Sequence, residues 1–130
     1  MNISSIFFPQ QSRSFKGQRW VNIIMRSIHL MGISGVGAAF LYDIPNEQWL
    51  PFMILTVTSG SIMIMLETWN NGIWLIQLRG ISTLIKLVLL STTFFVGMNA
   101  YILLIIILIS GVMSHAPGKV RYYPVIKIND

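Results

Sequence analysis

The chain has no cysteine among its 130 residues. Disulfides, iron–sulfur clusters and thiolate metal sites are therefore excluded. Charge is scarce as well: 10% of the residues are Asp, Glu, Lys or Arg, against about a quarter in an ordinary soluble domain. So few charged groups cannot maintain a water-facing surface, and the expected solvent for most of the chain is lipid. Acids are the rarest, four against nine lysines and arginines, for a net charge of +5. Only Glu67 falls inside an apolar stretch, so no carboxylate dyad can form there. No Ser/His/Asp set or phosphate-cradling glycine loop can be assembled either. The cations are scattered rather than gathered into a patch, which excludes a nucleic-acid interface. The opening MNISSIFFPQQSRSFKGQRW lacks the order of a signal peptide and reads as a polar leader over residues 1–19.

What the chain has in abundance is apolar surface: 54% of its residues are hydrophobic and the mean hydropathy is +0.68. Four apolar segments are predicted, over residues 20–42, 48–69, 72–93 and 94–114. Each has roughly the 20 residues needed to cross a hydrocarbon core of about 30 Å. DIPNEQ separates the first pair and NNG the second, VGMN lies near the third turn, and Pro117 and Gly118 stop the last. Trp20, Trp49, Trp69 and Trp74 fall at segment ends, where amphipathic rings prefer to sit. Arg13, Lys16 and Arg19 in the leader, and Lys119, Arg121 and Lys127 in the tail, flank a first loop that holds Asp43 and Glu47 and no cation. The positive-inside rule then puts both termini in the cytoplasm. The expected fold is an all-α integral membrane protein, a four-transmembrane-helix up-down antiparallel bundle over 20–114 with a basic cytoplasmic tail over 115–130. A bacterial inner membrane is the expected location. The lipid bilayer is the expected partner, joined by other membrane proteins or further copies of the chain.

Polar residues inside such segments are where function is sought. Arg26 and His29 lie one turn apart on the first, and Gly32, Gly35 and Ala39 permit a close neighbour there. Thr56, Gly60, Met63 and Glu67 share a face of the second. The third carries Arg79 and Lys86, seven apart and on one face. Counted from the expected cytoplasmic ends, His29 lies roughly 14 Å deep, Arg79 roughly 10 Å and Lys86 roughly 20 Å. Three cations thus face one carboxylate. Arg26 and Arg79 either snorkel to lipid phosphates or join Lys86 in a pocket for an anionic ligand: haem propionates, a quinone-like headgroup or a phosphate. His29 is either an interhelical hydrogen-bonding residue or a haem or metal ligand. His115 and His29 are separated by roughly 14 Å in depth, which disfavours a haem clamped by both. The eight methionines form no Met-x-x-Met array; Met63 and Met65 fall on different faces, so gap-filling core residues are expected rather than a copper site.

RSIHLMG, the following small residues, Ser59 and Gly60 in the second segment, Trp74 and Leu75 leading into an apolar third, and Asn99 opening the fourth resemble small haem-associated bundles. These are the HemJ-type protoporphyrinogen oxidases and the CopD-type copper-resistance membrane proteins. The resemblance spans residues 26–111. It implies a b-type haem, with His29 and Lys86 at the positions of the first family's functional histidine and lysine, and Arg79 as a further polar partner. GVGAAFLYDIP departs from the tryptophan-rich end of the first helix in that family, and SHAPGKVRYY is an extension it lacks. On this basis the expected function is a haem b-binding redox protein, with His29 as axial ligand and Arg26, Arg79 and Lys86 balancing the propionates. Glu67 and His115 are further candidates. The rival is a non-enzymatic accessory or assembly subunit, in which His29 and Lys86 are interhelical contacts. A carrier finds no support, since no interrupted helix or inverted repeat is visible.

Overall fold

Two glycines and two asparagines decide where most of the helices start or stop. The computed structural model describes residues 6, 8, 9 and 11–126; Lys127 and Asp130 fall outside them. Helix α1, Gln18–Leu41, begins just after Gly17, whose φ of 90° favours a residue without a Cβ. Helix α2, Asn46–Asn70, follows the Pro45 turn and places Glu47 at the positive end of its dipole. Asn71 then caps a 3₁₀ turn, Gly72–Ile76, its side chain accepting from the Ile73 amide at 3.0 Å. Helix α3, Leu78–Val96, stops at Gly97, where φ is 79°. Helix α4, Ala100–His115, starts from Asn99, which accepts from the Tyr101 amide at 2.8 Å. A single turn, α5, covers Gly118–Arg121.

All regular structure among the described residues is helical apart from one isolated bridge between Gln77 and Pro124. Two helices, α1 and α2, are long and apolar enough to cross a membrane, while the apolar α4 has 16 residues. Neither long helix is a buried core helix, because apolar residues such as Leu30 (65% exposed), Ile54 and Met65 point outward.

The expected third and fourth segments are corrected. Residues 72–76, taken into the third helix by their hydropathy, form the 3₁₀ turn, and the helix proper starts at Leu78. Trp74 drives this. Its ring is buried, and its Nε1–H donates to Thr68 Oγ1 at 3.2 Å. A Cβ at Gly80 would run into the Trp74 carbonyl and stand 2.8 Å from Leu75 Cα, so glycine lets the turn fold back over the start of α3. Trp74 is therefore an internal anchor, while Trp20 and Trp69 are exposed at helix ends as expected. The boundary between α3 and α4 falls at residues 97–99 within VGMN, and the fourth helix begins at Ala100 rather than at residue 94.

Helices α1 and α2 pack along their length, and α3 packs on α4. A small core of Val36, Phe40 and Leu103, flanked by Met53, Leu90 and Met98, ties α1 to α4 at the end bearing the α1–α2 loop. The opposite end gathers both chain extensions. The Arg13 amide donates to the Asn70 carbonyl at 2.9 Å and Phe15 packs on Trp69 with ring centroids 6.0 Å apart. From the tail, the Val125 amide donates to the Ile76 carbonyl at 2.9 Å, and the Tyr123 carbonyl accepts from the Leu78 amide at 3.0 Å.

Candidate functional site

The α1–α2 seam is built from small residues. A Cβ at Gly32 would strike Thr56 Oγ1 and come within 2.8 Å of the Thr56 nitrogen; one at Gly35 would enter the Phe52 ring. These glycines bring the backbones close enough for a side chain of α1 to reach main-chain atoms of α2. His29 does so. Its Nδ1 lies 3.0 Å from the Thr56 carbonyl and 3.0 Å from Ser59 Oγ. Gly60 makes room for the ring, since a Cβ there would stand 3.0 Å from His29 Cε1.

The network assigns the proton. The buried Ser59 hydroxyl donates to the Leu55 carbonyl at 2.7 Å, leaving its oxygen as an acceptor toward the histidine. With two acceptors facing it, Nδ1 carries the hydrogen and donates. Nε2 is then the ring nitrogen with a lone pair. It takes no hydrogen-bond partner among the described residues, on a half-buried ring. A histidine held in this way by a backbone carbonyl is in the state that metal-ligating histidines adopt.

Lys86 lies shallower than expected. Because α3 begins at Leu78, Lys86 stands roughly 12 Å along it, and His29 roughly 16 Å along α1 from the same end of the molecule. By rise along their helices the two therefore stand near one level, rather than Lys86 lying well below. The half-buried Lys86 Nζ donates to Ser110 Oγ on α4 at 3.2 Å.

The other predicted residues go elsewhere. Arg79 is the second residue of α3, at the rim rather than roughly 10 Å down. Its Nε donates to Gln77 Oε1 at 2.8 Å, its Nη1 lies 3.6 Å from Glu67 Oε2, and its guanidinium sits 4.8 Å above the Tyr122 ring. Arg121 approaches the same ring at 5.6 Å. Glu67 is thus paired with Arg79. Arg26 is exposed and shares an open cleft with Gln18, Arg19, Asn22 and Ile23. His115 is the exposed last residue of α4. The structure brings His29 and Lys86 to one level and pairs Glu67 with Arg79, but it does not join these two groups.

Sequence reasoning passed over Ser59 as a hydrogen-bonding partner, and Ser110 and Tyr122 altogether. Thr56, Ser59 and Gly60, at helical spacing three and four apart, were the available signal for the first. Nothing local marks Tyr122. Among the described residues no three His, Cys, Asp or Glu side chains gather to hold a metal ion. The chain matches no protein-family model, no curated protein and no solved structure.

Proposed function

We propose that this is a polytopic membrane protein in which α1 to α4 all cross the bilayer, with His29 Nε2 as the atom that would hold the iron of a b-type haem. The observation that carries this reading is the hydrogen bond from His29 Nδ1 to the Thr56 carbonyl, with Ser59 Oγ beside it. It holds the ring and selects the tautomer. The residues fit such a group at one axial position: a neutral imidazole whose Nε2 takes no hydrogen bond among the described residues, and an ammonium at the same level to balance a propionate. A bound haem would supply a one-electron couple. The chain's own part is to fix the imidazole, balance charge through Lys86 and keep water out with the apolar faces of α1 to α4. Arg79, paired with Glu67, drops out of the propionate role, and so does Arg26, which lines a separate cleft with Arg19. The resemblance of RSIHLMG and Lys86 to the HemJ-type and CopD-type proteins supports the same assignment. Both extensions dock at the end holding Arg13, Arg79 and Arg121, and Asp43 and Glu47 lie at the other. This supports cytoplasmic termini in a bacterial inner membrane.

The test is an optical spectrum of the detergent-purified protein, oxidised and dithionite-reduced, with haem quantified per chain. Near-stoichiometric b-type bands that disappear in His29→Ala, with the variant still inserted, are expected. A colourless protein from haem-replete cells would exclude haem.

One set of contacts favours a second reading, a non-enzymatic accessory or assembly subunit. His29, Lys86 and Arg79 all find partners within the chain, as interhelical and rim contacts in a scaffold would. On that reading the protein is colourless, and Gly32→Val disrupts its assembly more than His29→Ala does.

A further inference from the structure

Arg19, Asn22 and Arg26 follow one another along the first turns of α1 at spacings of three and four, with Gln18 four before Asn22, and so form one stripe. With Ile23 they line an open cleft of about 490 Å³. Two guanidiniums and two amides face it, and no carboxylate does. Arg19 and Arg26 are exposed; the ion pair found among the described residues, Arg79 with Glu67, lies on other helices. Arg26 is nevertheless roughly 12 Å into a helix whose other residues are mostly apolar or small. A charge at that depth draws in an opposite one.

We propose that this stripe binds the phosphate of an anionic phospholipid on the lipid-facing flank of α1. Arginine forks suit phosphate because they donate two parallel hydrogen bonds to it. Arg19 and Arg26 stand roughly 10 Å apart along the axis, with the Asn22 amide between them. A phosphodiester level with Asn22 is within reach of both long side chains. The apolar part of the ligand is also provided for. Ile23 (43% exposed) and Leu30 (65% exposed), seven residues apart, continue from the cleft along the same line toward the middle of the helix, where an acyl chain would lie. A soluble phosphate has no use for that apolar track. The inference rests on the membrane-spanning reading and is independent of haem.

The experiment is native mass spectrometry of the full chain, released from nanodiscs of phosphatidylcholine mixed with phosphatidylglycerol, counting lipid retained per chain. Wild type is expected to retain phosphatidylglycerol over phosphatidylcholine. Arg19→Gln and Arg26→Gln should each lower that retention about fivefold, and the double variant roughly thirtyfold. Lys119→Gln, a tail cation away from the stripe, should leave it unchanged. Arg19 lies at the helix end, so its variant reports even where Arg26→Gln disturbs folding. Equal retention of the two lipids, indifference to Arg19→Gln, or an equal loss in Lys119→Gln would overturn the site. Inorganic phosphate at millimolar concentration should not displace the lipid; displacement would make this a soluble-phosphate site instead. Crosslinks between chains through position 22 in place of bound lipid would make it a protein interface, again overturning the proposal. Recovery of the chain in the soluble fraction without detergent would fail the membrane reading itself, which is a separate outcome.

Discussion

His29 depends on a carbonyl and on a missing side chain. Because Thr56 contributes its main-chain oxygen, Thr56→Ser should keep the imidazole in place. Gly60→Val should not, since its Cβ alone would press on His29 Cε1 at 3.0 Å. We expect Gly60→Val to weaken haem binding by roughly tenfold or more, in line with other losses of ligand support, measured by haem titration of the purified protein. Haem binding unchanged in Gly60→Val would detach the ligand role from this seam. At the rim, Glu67 and Arg79 are each about one-third exposed, 30% and 32%, and 3.6 Å apart. That geometry supports about 0.2–1 kcal/mol of coupling. A double-mutant cycle with Glu67→Gln and Arg79→Gln, read by thermal unfolding in detergent, should fall in that range; a much larger coupling would mean the pair is more deeply desolvated than its exposure implies.

Helix pairing is decided by where side chains are absent. Gly32 and Gly35 sit opposite Thr56 and Phe52, so α1 and α2 meet backbone to backbone over the middle of their length. Gly32→Val should separate the helices and destabilise the protein by about 1–3 kcal/mol or more, detected as a lower melting temperature and loss of close α1–α2 crosslinks. Gly111, with open space around it, should accept alanine without that penalty. The pairing glycines were legible in the sequence, as were the two long apolar helices that they join. The start of α3 was not. GIWLI carries the hydropathy of a helix, and only the burial of Trp74 and the close approach at Gly80 show why it becomes a 3₁₀ turn. Those are long-range packing effects that no window of local hydropathy contains. The α3–α4 boundary was readable in VGMN through glycine and asparagine, although the uninterrupted apolar run around it blurred the ends by several residues.

For the whole molecule, the leader and tail converge on one end and the acidic first loop occupies the other. With no native cysteine, a single introduced one is a unique reporter of sidedness. Asp43→Cys in the first loop should react with an impermeant maleimide added outside intact cells. Ser12→Cys and Lys119→Cys should react only after permeabilisation. Labelling of Ser12→Cys from outside would reverse the orientation, and labelling of the two ends from opposite sides would refute an even number of spans.

Scarce charge and long apolar segments were enough to predict apolar helices, and two of them, α1 and α2, are long and apolar enough to cross a membrane. The sequence also marked His29, Lys86 and the glycines of α1 as residues needing an explanation, since a polar group or a gap in an apolar helix demands a partner. Which partner each found was decided by the tertiary structure. Thr56 and Ser59 came to His29, Ser110 to Lys86, and Glu67 with Tyr122 to Arg79. These choices depend on the register between helices and on the fold-back of the 3₁₀ turn. Register is set by summed contacts between residues distant in the chain, and such contacts have no signature at any single position.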